Sequence, residues 1–221
     1  MMQRVRNATL AELEASMLKN EFTFKPEFRQ FLEREWGGDR GTIPNIERLL
    51  LDPNLTSPWE NRARTVVFAN WWKRAATRLS RDEECSVVRL DNISDLDGLR
   101  ICYSTINNVM TNGTLLLSDL AAMIADARQR PTIPKDPKSD AEIGLFVNDI
   151  WLNHERVARV FRGGPMPALL VRQDKVEIFD GTHRLTHLKV ALLRGGVEFA
   201  PFDAYLGVPL EPVPQKSPVI E

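Results

Sequence analysis

The apolar positions of this chain change rhythm along its length. Near the C-terminal end a strand-like run, Ala168-Leu169-Leu170-Val171-Arg172, precedes the turn residues Gln173-Asp174-Lys175 and a second run, Val176-Glu177-Ile178-Phe179. Two such runs across a short polar turn predict a β-hairpin. The period then lengthens. Leu185, Leu188 and Leu192 recur at spacings of three and four as far as Gly195-Gly196, which predicts a helix closed by glycine. Past it, Val197-Glu198-Phe199-Ala200-Pro201 leads to a short strand, Phe202 to Leu206.

Helical patterns dominate the first third. Leu10 to Lys19 reads as a helix started by Thr9, with Glu12 completing a capping box. Pro26 to Trp36 reads as a second, ended by Gly37-Gly38, and Ile46 to Leu51 as a short turn of helix before Pro53. Asn61 to Leu79 is a longer helix whose Val66, Val67 and Phe68 lower its propensity. Cys85 to Leu90 and Leu99 to Ile106 carry β-branched or aromatic residues between Asn, Asp and Gly turns and read as strands. Ser118 suits the N-cap of a helix through Arg130, with Leu120, Met123, Ile124 and Ala127 on one face. Pro131 to Pro137 reads as a linker, and Asp140 to Leu152 is apolar without a deciding period. Asn153 caps a further helix, His154 to Arg162, stopped by Gly163-Gly164. The tail from Leu210 carries Pro212, Pro214 and Pro218 and reads as extended. Together these predict an α+β fold. A helical N-terminal region, 1–80, precedes a mixed α+β domain, 81–221. The strands at Cys85 and Leu99 either stand apart or join the hairpin's sheet.

Composition narrows the function classes. With 221 residues and 43% hydrophobic positions, the chain supports a real core in one large domain or two small ones. A net charge of −1 and a pI near 6.4 argue against global attraction to nucleic acid or anionic membrane, so a DNA contact needs a local basic patch. Cys85 and Cys102 form no C-x-x-C pair and no disulfide framework, and read as buried free thiols. The first 30 residues hold no apolar signal-peptide core, and no apolar run approaches the about 20 residues that span a bilayer. The expectation is a cytoplasmic protein with no membrane partner.

The stretch that points to a chemistry is Asp180-Gly181-Thr182-His183-Arg184-Leu185, where the hairpin opens into the helix. A small-residue turn at a helix N-terminus leaves backbone N–H groups without intrahelical acceptors, and such groups bind anions. Gly181 lets backbone approach a phosphate closely. Thr182 suits a cap or a phosphate ligand. His183 suits a hydrogen bond to phosphate or proton transfer, and otherwise packs at the helix start. Arg184 suits a bidentate phosphate contact, or an ion pair with Asp180 or Glu177. Asp180 suits orienting His183 or holding Mg²⁺, and equally an Asx-turn or N-cap that needs no ligand. His183 and His187 have zinc spacing but no third ligand nearby. Arg156, Arg159 and Arg162 recur every three residues as a solvated face or a basic stripe, and Trp71-Trp72 with Lys73 and Arg74 reads as core with a charged edge or a base-stacking platform.

Pro167, Leu170, Val171, Arg172, Asp180, Gly181, His183, Arg184 and Leu185, in this hairpin, turn and helix context, resemble the core of the ParB/sulfiredoxin superfamily. The resemblance runs from Ile150 to Val208. It implies that the turn and helix N-terminus bind nucleotide phosphates, with Arg172 beside the site. Thr182 stands where sulfiredoxins have their cysteine, which argues against sulfinic acid reduction. Gly181-Thr182-His183-Arg184 departs from the Gly-Glu-Arg-Arg of partition proteins, and no helix-turn-helix pattern follows. What remains looks most like plasmid fertility-inhibition accessory proteins. That likeness implies an ATP-using phosphohydrolase, with Mg²⁺ and metal-dependent DNase activity as further expectations. The implied catalytic residues are Asp180, His183 and Arg184; Gly181, Thr182, His183, Arg184 and Arg172 bind nucleotide, and Asp180 is the metal candidate. The alternative is a non-catalytic adaptor whose N-terminal helices dock on a protein of a DNA-transfer or secretion system.

Overall fold

The computed structural model describes residues 2–24, 26–36, 52, 58–71, 83–101, 114–126 and 166–209. Among them, five helices cover a six-stranded mixed sheet. In chain order the elements are β1 (Gln3–Ala8), α1 (Leu10–Phe24), α2 (Pro26–Trp36), α3 (Pro58–Trp71), β2 (Glu83–Leu90), a 3₁₀ turn (Ile93–Leu96) and β3 (Arg100–Ile101). Then come α4 (Leu117–Asp126), β4 (Ala168–Arg172), β5 (Lys175–Asp180), α5 (Thr182–Leu193) and β6 (Phe202–Pro209). The strand order is β1-β2-β6-β4-β5-β3. β2 runs antiparallel to β1 and β6, and β4 antiparallel to β5, while β4–β6 and β3–β5 are parallel.

Neighbouring residues on one strand face opposite ways, and here both faces are apolar. Val88, Leu169, Ile178 and Ala204 enter one core with α4 and α5. Their chain neighbours Val87, Leu170, Phe179 and Tyr205 enter a second core with α1, α2 and α3. A sheet covered on both sides explains why Ala168 to Val171 reads as a continuous apolar run rather than an alternating one. The hairpin turn places Gln173 and Asp174 in the left-handed region, at φ 49° and 60°. Two successive positive φ values match the twist that a two-residue hairpin turn requires.

The α+β expectation holds, with local differences. Residues Gln3–Ala8 form an edge strand where helix alone was expected to begin the chain, and they pair with β2 across the 80/81 boundary. Helix α1 continues past Lys19 to Phe24, with Glu12 N donating to Thr9 Oγ1 at 3.2 Å as the cap predicts. Helix α4 starts at Leu117, so Ser118 lies in its first turn, and its Oγ donates to the Asp97 carbonyl at 3.4 Å. The segments expected at 46–51, 131–137, 140–152 and 154–162, the tail from 210, Cys102 and the tripled arginines lie outside the described residues.

Candidate phosphate site at the start of the last helix

Strand β5 ends at Asp180 and α5 begins at Thr182, so one residue must turn the chain from sheet to helix. Gly181 does so at φ 96° and ψ 14°, in the left-handed region. A Cβ there would stand 3.0 Å from Pro167 Cβ and 3.2 Å from the Arg184 guanidinium. Glycine is therefore required by both backbone and space. Its carbonyl accepts the first helical bond, from Leu185 N at 2.9 Å. No side chain caps this helix.

The first helical residue, Thr182, is 7% exposed, and its Oγ1 has no hydrogen-bond partner. A hydroxyl buried without a partner costs about 1–3 kcal/mol, so its persistence here needs a reason. Thr186 Oγ1, one turn on, donates to the Thr182 carbonyl at 2.7 Å and not to its hydroxyl.

Asp180 and Arg184 form the ion pair that was one of the two readings of Arg184. Arg184 Nη2 lies 3.0 Å from Asp180 Oδ2, with the side chains 11% and 15% exposed. Asn20 Nδ2, from α1, donates to the same carboxylate at 3.1 and 3.3 Å. Asp180 is thus held by a side chain on each flank and forms neither the Asx-turn nor the N-cap that its type suggests. Burial pulls the Arg184 guanidinium below its ordinary range, while Asp180 and the buried Glu21 pull the other way. Asn20 and Glu21 were not legible as parts of this site, because nothing local marks residues 160 positions away.

The other candidates are distributed unevenly. His183 is exposed at the mouth of the turn, whereas His187 is fully buried, so the pair presents no shared open face. Among the described residues, no group of three or more His, Cys, Asp or Glu is placed to hold a metal ion. Arg172 pairs with Lys175 at the hairpin tip, while Asp180 pairs with Ala168 at the other end. That separation is roughly 13 Å along the strand, so the hairpin does not bring Arg172 to the turn. Trp71 ends α3, and Trp72, Lys73 and Arg74 lie outside the described residues.

Chemically, the turn offers the positive end of a helix dipole, a buried unused hydroxyl and an exposed imidazole. These suit an anion. The Asp180 carboxylate already carries three hydrogen-bond contacts, which fits it poorly for direct coordination of Mg²⁺. Among the described residues no helix is long and apolar enough to cross a membrane. Compared with protein-family models, curated proteins and solved structures, the chain matches none.

Proposed function

We propose that this protein binds the phosphates of a nucleotide at the N-terminus of α5, in the manner that its resemblance to the ParB/sulfiredoxin superfamily implies. The observation that carries the reading is the buried Thr182 hydroxyl without a partner, at the first position of an uncapped helix. A phosphate oxygen at the helix N-terminus would accept from backbone N–H groups while meeting the helix dipole, and would reach the buried hydroxyl once the turn opens. His183, exposed in the first turn of the helix, is the group assigned to proton transfer. Asp180 and Arg184 pair with each other at the turn. Any divalent cation arrives with the nucleotide rather than on Asp180. The finer reading is an ATP-using phosphohydrolase of a mobile element, with DNA as a further substrate and inhibition of plasmid transfer as its setting. It rests on the motif resemblance and on the fit of the turn to phosphate.

Calorimetric titration with ATP, CTP and GTP, each with Mg²⁺, tests it. Binding at millimolar concentration or below is expected for at least one. Thr182→Val keeps the shape and removes the hydroxyl, and should weaken that binding by about 0.5–1.5 kcal/mol while leaving the fold as stable or more so. Silence from all three nucleotides sinks the proposal.

A further inference from the structure

Asp180 occupies an awkward place for a phosphate site. It stands two residues before the first helical N–H, where an aspartate ordinarily folds its carboxylate onto that N–H as an Asx-turn. The helix dipole attracts it there as well. A carboxylate so placed would occupy the position that an incoming anion needs. In the structure it does not. Arg184 holds Oδ2 from one side at 3.0 Å, and Asn20 donates to both oxygens from the other, at 3.1 and 3.3 Å. The helix is left with no side-chain cap, and Thr182 Oγ1 with no partner.

We propose that Asn20 is a positioning residue of this site: it restrains the Asp180 carboxylate so that the protein's own anion does not occupy the N-terminus of α5. The inference rests on the phosphate-site reading and deepens it. It makes α1 a working part of the site, since the restraint comes from the first helix and not from the motif. Arg184 shares the task. It spends its charge on Asp180 rather than on the ligand.

The test measures binding of ATP with Mg²⁺, and separately of inorganic pyrophosphate, to the full chain and three variants, with melting followed in parallel. Asn20→Ala removes one of the two restraints on the carboxylate and should weaken both ligands about twofold to fivefold, the scale of one charge at a helix end. Asn20→Ala combined with Asp180→Asn removes the competing charge and should restore affinity, although it restores no contact with α1. Asp180→Asn alone should bind as tightly as the unaltered chain or more tightly, and keeps the test open if Asn20→Ala fails to fold. A merely structural Asn20 would give loss of melting temperature without rescue of affinity in the double variant, and that result overturns the inference. So does unchanged affinity in Asn20→Ala, or weakened affinity in Asp180→Asn. In those cases the phosphate site itself stands. If the unaltered chain binds neither ligand, the site reading falls and this inference with it.

Discussion

The two faces of the sheet are closed by different means. Under α4 and α5, closure is by apolar fit, from Leu117, Leu120 and Ile124 to Leu185, Leu188 and Ala191. Buried polar groups occur there too: on and beside α5, Asp95, Thr186, His187 and Lys189 are 8%, 0%, 0% and 5% exposed, and Lys189 reaches out to the half-exposed Asp97 at 2.6 Å. Under α1, α2 and α3 an apolar cluster of similar kind is threaded by buried charge. Glu14, Glu21 and Arg64 are 6%, 2% and 0% exposed. Arg64 donates to the Ala11 carbonyl at 3.2 Å and to the Asp52 carbonyl, and Thr65 Oγ1 lies 3.4 Å from Glu14 Oε2. Apolar fit tolerates swaps of similar volume. A buried polar network does not tolerate the loss of a member, because the groups left behind have given up water. The second face therefore specifies positions as well as closing a core, and it is the face from which Asn20 reaches the candidate site.

Removing residues 1–80 is the largest perturbation of this contrast. Seven of the thirteen buried residues of the second core come from α1, α2 and α3, and the deletion also takes β1 from the sheet edge. The remainder should show no cooperative melting. A cooperative transition in a chain of residues 81–221 would make the N-terminal helices an appendage and revive the adaptor reading.

Two matched truncations come next. Leu18→Ala in the second core and Leu120→Ala in the first should each cost about 2–5 kcal/mol. Both side chains are fully buried, so denaturant titration of the two variants compares the faces directly. If only the second face is locked by polar partners, the first should relax around its cavity and fall at the low end of its range. Equal losses at the high end would erase that distinction.

Arg184→Ala separates site from scaffold. Its ion pair is largely shielded, so losing it should lower stability by about 1.5–3 kcal/mol, the scale of hydrogen bonds to charged groups. Arg184→Lys should recover only part, since an ammonium does not reproduce the planar fork. A variant with unchanged melting but lost nucleotide affinity would return Arg184 to the ligand. The smallest effect belongs to Tyr205, in the second core. Burial pushes its hydroxyl up, Glu12 adds to that, and Arg6 opposes it. The fold thus favours the neutral phenol. That contribution is fully present below the unfolded value of about 10 and is lost as pH rises through the higher folded value. Tyr205→Phe should flatten the alkaline end of the stability curve, and parallel curves for the two proteins would rule this out.

The first face was readable because apolar spacing alone builds it: the hairpin, α5 and β6 all follow from period and turn residues. The turn at Gly181 was readable for a related reason, since its requirements are local. The rest needed knowledge of distant partners. Gln3 to Asn7 are exposed along the strand, so β1 has no apolar alternation to betray it. It is held by pairing with β2, helped by Arg4–Glu84 at 2.6 Å and Arg6–Glu12 at 2.8 Å. Asp180 looked like a cap because its neighbours in sequence permit one. Asn20 and Arg184 decide otherwise, and only the tertiary fold brings the first of them near. Arg64 is a further case: it is buried on the carbonyls of Ala11 and Asp52, acceptors that nothing in its own stretch of sequence announces.

The pairing of Gln3–Ala8 with Arg89–Cys85 also fixes an order of events during synthesis. The first strand leaves the ribosome roughly 80 residues ahead of its partner, an interval of several seconds at about 5–20 residues per second. The β4–β5 hairpin, by contrast, closes across two residues and forms on the microsecond scale once made. Assembly therefore runs against the direction of translation at the sheet's edge. Its local centre forms late but fast, and the oldest strand is the one that waits. During that wait the exposed, charged character of Gln3-Arg4-Val5-Arg6-Asn7 is an asset, because a segment with little apolar surface has little to aggregate with.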